Sequence, residues 1–139
     1  MNGKRISLAV AATLFLAPSS ALAWWAFNRH QVEPVGNGVF EVVAEVGSAP
    51  KDFWCGAGDY AIRVLRTSAT QRIYIWKAIA PSTIRQGRKG VQFALQPPPG
   101  ADTSTGYSLT VKREGDNLNA AMAQGYCYDR RAEDLWLPT

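Results

Sequence analysis

The sequence has little of what most metal, redox and catalytic sites are built from. Its 139 residues include one histidine, His30, and two cysteines, Cys55 and Cys127. A metal site needs clustered histidine, cysteine and carboxylate ligands, so we expect no bound metal. There is no C-x-x-C pair, haem-attachment motif or phosphate-binding glycine loop, and we therefore expect no cofactor. His30 lies in a polar stretch, which predicts an ordinary surface histidine rather than a catalytic base.

The chain also lacks a long run of charge of one sign. It has 15 basic and 11 acidic residues, a formal charge of +4. Without its first 23 residues the count becomes 13 against 11, which leaves only +2. Nucleic-acid binding requires a basic stripe that can engage phosphates, and none is present. We therefore expect no nucleic-acid partner.

The start of the chain has the pattern of a secretory signal peptide. Two basic residues, Lys4 and Arg5, precede the apolar segment Ile6–Ala17, and Ala21–Ala23 is a small-x-small cleavage signal. We predict cleavage after the last of these alanines, which makes residues 1–23 a signal peptide. The mature chain, residues 24–139, would then be a single periplasmic or secreted domain with no membrane contact.

The alternative for this leader is an uncleaved membrane anchor. Residues 6–23 are barely long enough to span a bilayer, and Trp24 and Trp25 would then lie at the interface, where tryptophan is favoured. Pro18 and two serines make the second half of such a span unfavourable. On this hypothesis the protein would be a membrane-tethered accessory subunit.

The two cysteines predict one disulfide, Cys55–Cys127, because an exported protein meets an oxidising compartment. The bridge would close a loop of 72 residues, from 127 minus 55. In the chain-entropy account such a loop contributes about 4 kcal/mol to the free energy of unfolding. We therefore expect the disulfide to be structural.

The clearest helical periodicity lies in Asp52–Leu65. Asp52 suits the first turn and Ser48 is the predicted N-cap. Gly56 and Gly58 weaken the helix, and we interpret them either as points of close backbone approach or as an irregular first turn. The apolar residues that recur at three- and four-residue spacing are Phe53, Ala57, Tyr60, Ala61, Val64 and Leu65.

Several segments alternate or are rich in β-branched and aromatic residues, as strands are. One of them is apolar on both sides, which predicts a central position in the sheet. Consecutive strands at short spacing favour an α+β fold: an antiparallel sheet of about four strands, one main helix on one face and one disulfide. The predicted strands are Val39–Val46, the doubly apolar Arg72–Ile79, Val91–Gln96 and Tyr107–Lys112.

Other segments are less distinctive. Pro34, Gly36 and Gly38 predict a loop. Asn117–Gln124 is predicted as a helix capped by Asp116 and ended by Gly125, and the alternative is a hairpin whose fifth strand returns through Asn119. The aromatic start of the mature chain, from Trp24 to Phe27, is predicted to fold back over the core, the alternative being an exposed interaction patch.

Aromatic residues are the best candidates for a binding surface, because tryptophan and tyrosine can stack on sugar rings or anchor a protein partner. The expected partner is an envelope protein or a glycan. An inhibitor of a cell-wall hydrolase is one concrete version of this hypothesis. The candidate residues are Trp24, Trp25, Trp54, Trp76, Tyr126 and Tyr128.

Carboxylates offer the competing hypothesis of a small envelope hydrolase. Asp52 and Asp59 are two helical turns apart, and Glu41 and Glu45 lie on the neighbouring predicted strand. Together they could supply an acid–base pair. Because carboxylates are mostly exposed, we expect instead that they are solvated charges, and we assign no catalytic residue.

The segment FEVVAEVGSAPKDFWCGAGDYAIRVL, followed late by GYCYDRR, resembles a group of short exported proteins of Gram-negative bacteria to which no activity is assigned. The resemblance covers most of Asn28–Arg131. It implies export and paired cysteines, and no chemistry. The sequence as a whole predicts an exported, non-enzymatic binding or accessory module closed by one disulfide.

Intact-mass spectrometry of the protein isolated from the cell envelope tests these expectations together. We expect the mass of residues 24–139 less two hydrogens, because the leader is removed and the two thiols are joined. The same sample after reduction should gain the two hydrogens. A mass that retains residues 1–23 would favour the tethered subunit instead.

Overall fold

The computed structural model describes residues 23–106 and 108–129, together with Gly3. The predicted signal peptide, apart from Gly3 and Ala23, and the tail after Asp129 lie outside the described residues. The elements in chain order are β1 (Trp24–Trp25), β2 (Gln31–Gly36), β3 (Val39–Val43), α1 (Pro50–Arg63), β4 (Arg72–Pro81), β5 (Lys89–Ala94), β6 (Asn117–Asn119), α2 (Ala120–Gly125) and a 3₁₀ turn (Tyr126–Tyr128).

The six strands form one antiparallel sheet in the order β1-β2-β3-β5-β4-β6. The α+β prediction is therefore confirmed, with six strands rather than about four and with a second helix. The predicted strand at Arg72–Ile79 is β4, which has a neighbour on each side, although it lies one strand from the edge rather than at the centre.

Of the strands that were not predicted, β2 comes from the segment predicted as a loop, whereas β1 lies in the aromatic start of the domain and β6 begins the segment Asn117–Gln124. Pro34 and Gly36 lie within β2, and the chain turns at Asn37 and Gly38, which both have positive φ. An Asn-Gly pair of this kind favours the tight turn of a β-hairpin. β2 pairs with β3 through this turn, with a register irregularity between Pro34 and Gly36.

The inner face of the sheet packs against α1 and forms the core. Alternate residues of four strands point to this face, so one side of each strand is apolar and buried. Trp54 on α1 contacts Phe93 with ring centroids 5.0 Å apart. The sheet residues in the core are Val32, Phe40, Val42, Ile73, Ile75, Val91 and Phe93.

The disulfide Cys55–Cys127 is present and joins α1 to the 3₁₀ turn. Its Cα atoms are 4.8 Å apart, and Cys55 is buried. The bridge brings the end of the described chain back to the main helix, as predicted. The disulfide is consistent with an extracellular or periplasmic location.

α1 begins at Pro50 with Ala49, not Ser48, as its N-cap. Ser48 is displaced from this role because its hydroxyl is bound to the backbone of Glu45 in the preceding turn. Asp52 compensates, since its carboxylate accepts a hydrogen bond of 2.7 Å from the Ala49 N–H. An acidic side chain in the first turn also suits the positive end of the helix dipole.

Gly58 lies where α2 crosses α1. A Cβ atom at this position would lie 2.2 Å from the backbone nitrogen of Gln124 and 2.6 Å from the carbonyl carbon of Ala123. Gly56 fulfils a similar need on the sheet side, where a Cβ would lie 2.7 Å from a Val42 methyl. The interpretation of these glycines as points of close approach is therefore confirmed for both.

The predicted strand at Tyr107–Lys112 is wrong for residues 108–112, the part that the structure describes. These residues run beside β4 without forming a ladder, and an isolated hydrogen bond of 2.9 Å joins Ile79 N–H to the Val111 carbonyl. β4 is irregular over the same stretch, since its register against β5 on its other side shifts between Ile75 and Ala80.

The segment Asn117–Gln124 combines the two alternatives. Its first three residues form β6 on the edge of β4, and the rest forms α2. Asn119, rather than Asp116, caps the helix, and its Oδ1 accepts from Met122 N–H at 2.8 Å. Gly125 has φ −55°, so it is not a left-handed terminator, and the chain continues into the 3₁₀ turn.

Replacement of Gly58 tests the contact between the helices. We expect Gly58→Ala to lower the free energy of unfolding by about 2–3 kcal/mol, because the new methyl group overlaps the α2 backbone. Gly125→Ala is the matched control, since a Cβ there meets nothing within 4 Å and alanine is the better helix former. Urea denaturation measures both, and equal effects would contradict the close approach.

Candidate functional site

The six candidate aromatic residues do not form one surface. Trp54 is 0% exposed, and its indole N–H donates to the Thr110 carbonyl at 3.1 Å, so it belongs to the core. Trp24 is partly buried, lies edge-on to Tyr60 at 5.5 Å, and has the Arg63 guanidinium over its ring at 5.3 Å. Burial raises the pKa of the Tyr60 hydroxyl.

The aromatic start of the domain is divided between core and surface. Trp24 and Ala26 pack on the core as predicted, whereas Trp25 is 48% exposed. Phe27 is also exposed and lies against Tyr128 with ring centroids 5.0 Å apart. The prediction that this segment folds back over the core is therefore right for Trp24 and Ala26 and wrong for Trp25 and Phe27.

His30 is buried, contrary to the prediction of a surface histidine, and it forms a Ser–His contact. Its Nε2 lies 2.7 Å from Ser48 Oγ and its Nδ1 lies 3.3 Å from the Asn28 carbonyl. Ser48 Oγ also accepts from the Glu45 N–H and donates to the Glu45 carbonyl, each at 2.8 Å. A hydroxyl has one donor and two acceptor sites, so this one is fully occupied and is suited to fixing the turn, not to attacking a substrate.

Asp59, predicted as a solvated charge, is 1% exposed. One carboxylate oxygen accepts from the Phe27 N–H and from Arg63, each at 2.9 Å, and the other accepts from the Gln124 amide at 3.2 Å. The carboxylate thus joins the N-terminal turn, α1 and α2. A buried charge held in this way is structural rather than free for acid–base work.

The remaining candidate carboxylates are separated from Asp59 and from one another. Glu45 forms a partly exposed ion pair of 2.6 Å with Arg88, and Asp52 holds the start of α1. Glu41 is 1% exposed and lies on the outer face of the sheet. None of the cavities described below is lined by two of these four residues, so the geometry does not favour the hydrolase.

The outer face is the side of the sheet opposite α1, and the β4–β5 connection, residues 82–88, folds across it. Ser82 and Thr83 bind Glu41, and Arg85 donates to the Gln31 amide oxygen at 3.2 Å. Arg88 binds Glu45 at the far end of the connection. These contacts hold the connection against the sheet at three places.

A groove of 310 Å³ lies between this connection and the β2–β3 turn, and we refer to it as the outer groove. It is lined by a partly exposed tryptophan, by amide and hydroxyl side chains, and by two valines. No lining residue is charged. The lining residues are Val35, Gly36, Asn37, Val39, Trp76, Thr83 and Gln92.

Two further cavities have charged walls. One of 530 Å³ lies at the end of the sheet beside the Glu45–Arg88 ion pair and is also lined by Lys89. Another of 380 Å³ contains Arg72, whose guanidinium binds the side chain of Asn117. Arg88 and Arg72 are engaged within the chain, and both of these cavities have charged lining residues, whereas the outer groove has none.

Part of the site was visible in the sequence and part was not. Trp76 was among the candidate residues, but Thr83 and Gln92 carried no motif that would join them to it. Their meeting depends on the shift in register within β4 and on the return of the β4–β5 connection over the sheet. The one sequence signal was Asn37-Gly38, whose hairpin turn forms a wall of the groove.

No family model matches the chain, and no curated protein or solved structure matches it either. Within residues 23–106 and 108–129, three or more His, Cys, Asp or Glu side chains nowhere gather in a way that could hold a metal ion. Among these same residues, the helices are too short or too polar to cross a membrane. The site must therefore be interpreted from its own geometry.

Asp59→Asn tests the structural role of the buried carboxylate. We expect the free energy of unfolding to fall by about 2 kcal/mol, because charge-assisted hydrogen bonds to three elements are weakened. Glu45→Gln is the matched control at a surface ion pair and should cost less than about 1 kcal/mol. Chemical denaturation measures both. If Asp59→Asn leaves the free energy of unfolding unchanged, the carboxylate does not hold the helices together.

Proposed function

We propose that the protein is an exported, non-enzymatic binding module that holds a neutral glycan of the cell envelope in the outer groove. The observation that carries this proposal is the composition of the groove, which combines one tryptophan with amide and hydroxyl groups and has no charged lining residue. Its volume is at the lower end of the range of about 300–1,000 Å³ typical of ligand pockets.

Trp76 is the expected anchor for a sugar ring. A pyranose presents C–H groups on one face, and these pack on the flat apolar surface of an indole. Trp76 is only partly buried, whereas Trp54 is enclosed and Trp24 is covered on its ring by Arg63. Of these three tryptophans, Trp76 is thus the one that lines a polar concave surface.

The absence of charge in the lining decides between ligand classes. An anionic ligand would be expected to meet arginine or lysine, and a cationic ligand to meet carboxylates or an aromatic cage. The outer groove instead offers Asn37, Thr83 and Gln92, which are neutral hydrogen-bonding groups. A polyhydroxylated neutral ligand satisfies such groups without leaving a charge unpaired.

Export is the second part of the proposal, and three features support it. The leader has the signal-peptide pattern, the chain resembles short exported proteins, and the two cysteines form a disulfide. A thiol pair of this kind would remain reduced in the cytosol. A glycan ligand in the periplasm or outside the cell is consistent with all three.

Titration calorimetry with N,N′,N″-triacetylchitotriose tests the groove. We expect heat of binding with the mature wild-type domain and an affinity at least about 10-fold lower for Trp76→Ala, since loss of an aromatic anchor commonly costs more than 1.4 kcal/mol. Trp25→Ala is the matched control, because this exposed tryptophan lies outside the groove.

The result that contradicts the proposal is an equal affinity for the Trp76→Ala variant and the wild type, or no binding of triacetylchitotriose by the wild type. Near-ultraviolet circular dichroism of both variants shows whether the fold is retained. Loss of binding in Trp25→Ala alone would move the site to the surface that Trp25 shares with Arg29.

A further inference from the structure

We infer that the buried carboxylate of Glu41 sets the hydrogen-bonding polarity of the outer groove, so that the groove presents acceptors and selects ligands that donate hydrogen bonds. The inference rests on the proposed function and specifies its ligand class: a neutral saccharide with free O–H or N–H groups. Glu41 acts as a positioning residue, because it lies beneath the groove and does not line it.

Both carboxylate oxygens of Glu41 accept hydrogen bonds, from the β4–β5 connection and from β5. Oε2 accepts from the Ser82 hydroxyl at 2.5 Å, and Oε1 accepts from the Thr83 hydroxyl at 3.1 Å and from the Thr83 N–H at 3.2 Å. The Gln92 amide group donates to the same Oε1 at 3.4 Å. Two of these donors, Thr83 and Gln92, are lining residues of the groove.

An ionised carboxylate can only accept hydrogen bonds, so the orientation of its partners is determined by chemistry. The Thr83 hydroxyl must donate its one hydrogen bond to Glu41, so its oxygen lone pairs remain available to accept a hydrogen bond from a ligand. Gln92 must turn its amino group toward Glu41, which directs its carbonyl oxygen away from the carboxylate. The two side chains therefore offer fixed acceptors.

The position of Glu41 is itself enforced by the sheet. It lies on β3 in register with Gln92 on β5, and its side chain covers Gly90 on that strand. A Cβ at Gly90 would lie 2.7 Å from the Glu41 carboxyl carbon. No lysine, arginine or histidine of the described chain forms an ion pair with Glu41, so neutral donors alone satisfy the buried charge.

This arrangement has a consequence for specificity. A ligand whose O–H or N–H groups donate hydrogen bonds satisfies the acceptor oxygens of Thr83 and Gln92. A ligand of the same shape without such donors leaves these oxygens unsatisfied. Sites built around buried polar groups reject analogues that cannot pair with them more strongly than apolar sites do. The groove should therefore distinguish a saccharide from its methylated form.

The binding test compares triacetylchitotriose with its fully methylated derivative, in which every O–H and N–H is replaced. We expect wild-type protein to prefer the unmodified sugar by at least 10-fold. Glu41→Gln should reduce this preference to less than 3-fold, because the new amide can donate and lets Thr83 and Gln92 turn. Glu33→Gln, one strand away in register on β2 and outside the groove, is the matched control and should retain the preference.

Nuclear magnetic resonance of the free protein gives a measurement that needs no ligand. The side-chain amide resonances of Gln92 should shift in Glu41→Gln and remain unchanged in Glu33→Gln. If Glu41→Gln does not fold, Thr83→Val replaces it, since it removes the exposed hydroxyl and should weaken triacetylchitotriose binding at least 5-fold. An unshifted Gln92 resonance, or equal wild-type affinity for both sugars, would overturn the inference.

The two proposals fail in different ways. If the wild type binds neither sugar, the proposed function is overturned, and the polarity of the groove is judged from the Gln92 resonance alone. If both sugars bind equally and Trp76→Ala abolishes binding, the proposed function stands and the role of Glu41 is overturned.

Discussion

The fold depends on one helix that has almost no solvent-facing side. Every residue of α1 from Phe53 to Ala61 is buried, because the sheet covers one side of the helix and α2 with the 3₁₀ turn covers the other. A helix covered all round cannot follow the usual amphipathic pattern. Its surroundings therefore determine its unusual residues, which are two glycines, a cysteine and an aspartate.

Each of these four residues makes a specific contact with a neighbouring element. Gly56 makes room for Val42 of the sheet and Gly58 for the α2 backbone. Asp59 supplies acceptors to groups that the packing would otherwise leave unpaired, and Cys55 joins the chain that returns over the helix. The stability of the helix thus depends on these neighbours, and the sheet, α2 and the 3₁₀ turn are all held in place by contacts with it.

The two buried carboxylates illustrate different solutions to the cost of burying charge. Asp59 is paired with a cation, Arg63, whose own side chain reaches solvent. Glu41 has only hydroxyl and amide donors. A carboxylate satisfied by neutral groups must orient each of them, and this requirement links the interior of the sheet to the chemistry of its outer surface.

The sequence predicted the elements that local pattern determines. The periodicity of α1, the alternation of β3 and the disulfide all follow from residues close in sequence or from a simple count. The errors fall where distant contacts decide. Residues 108–112 alternate as a strand does, but a single backbone hydrogen bond, from Ile79 N–H to Val111, joins them to β4 and no ladder forms.

The same limit applies to the site. His30 lies among polar residues in the sequence, yet a turn eighteen residues away encloses it. Trp76 was one of six candidate aromatic residues, but the sequence held no sign that Thr83 and Gln92 would lie beside it above Glu41. Chemistry that arises from crossing strands and returning loops has no periodic signature, so only the folded arrangement reveals it.

The contact between Phe27 and Tyr128 joins residues that are 101 positions apart in the chain, from 128 minus 27. Residues near both ends of the described domain therefore lie together on the α1 side of the sheet, while the groove lies on the opposite face. A fluorophore or tether attached beside Phe27 or Tyr128 would lie on the side of the sheet away from that concave surface. The position of these two residues therefore suits the domain to fusion with a larger protein.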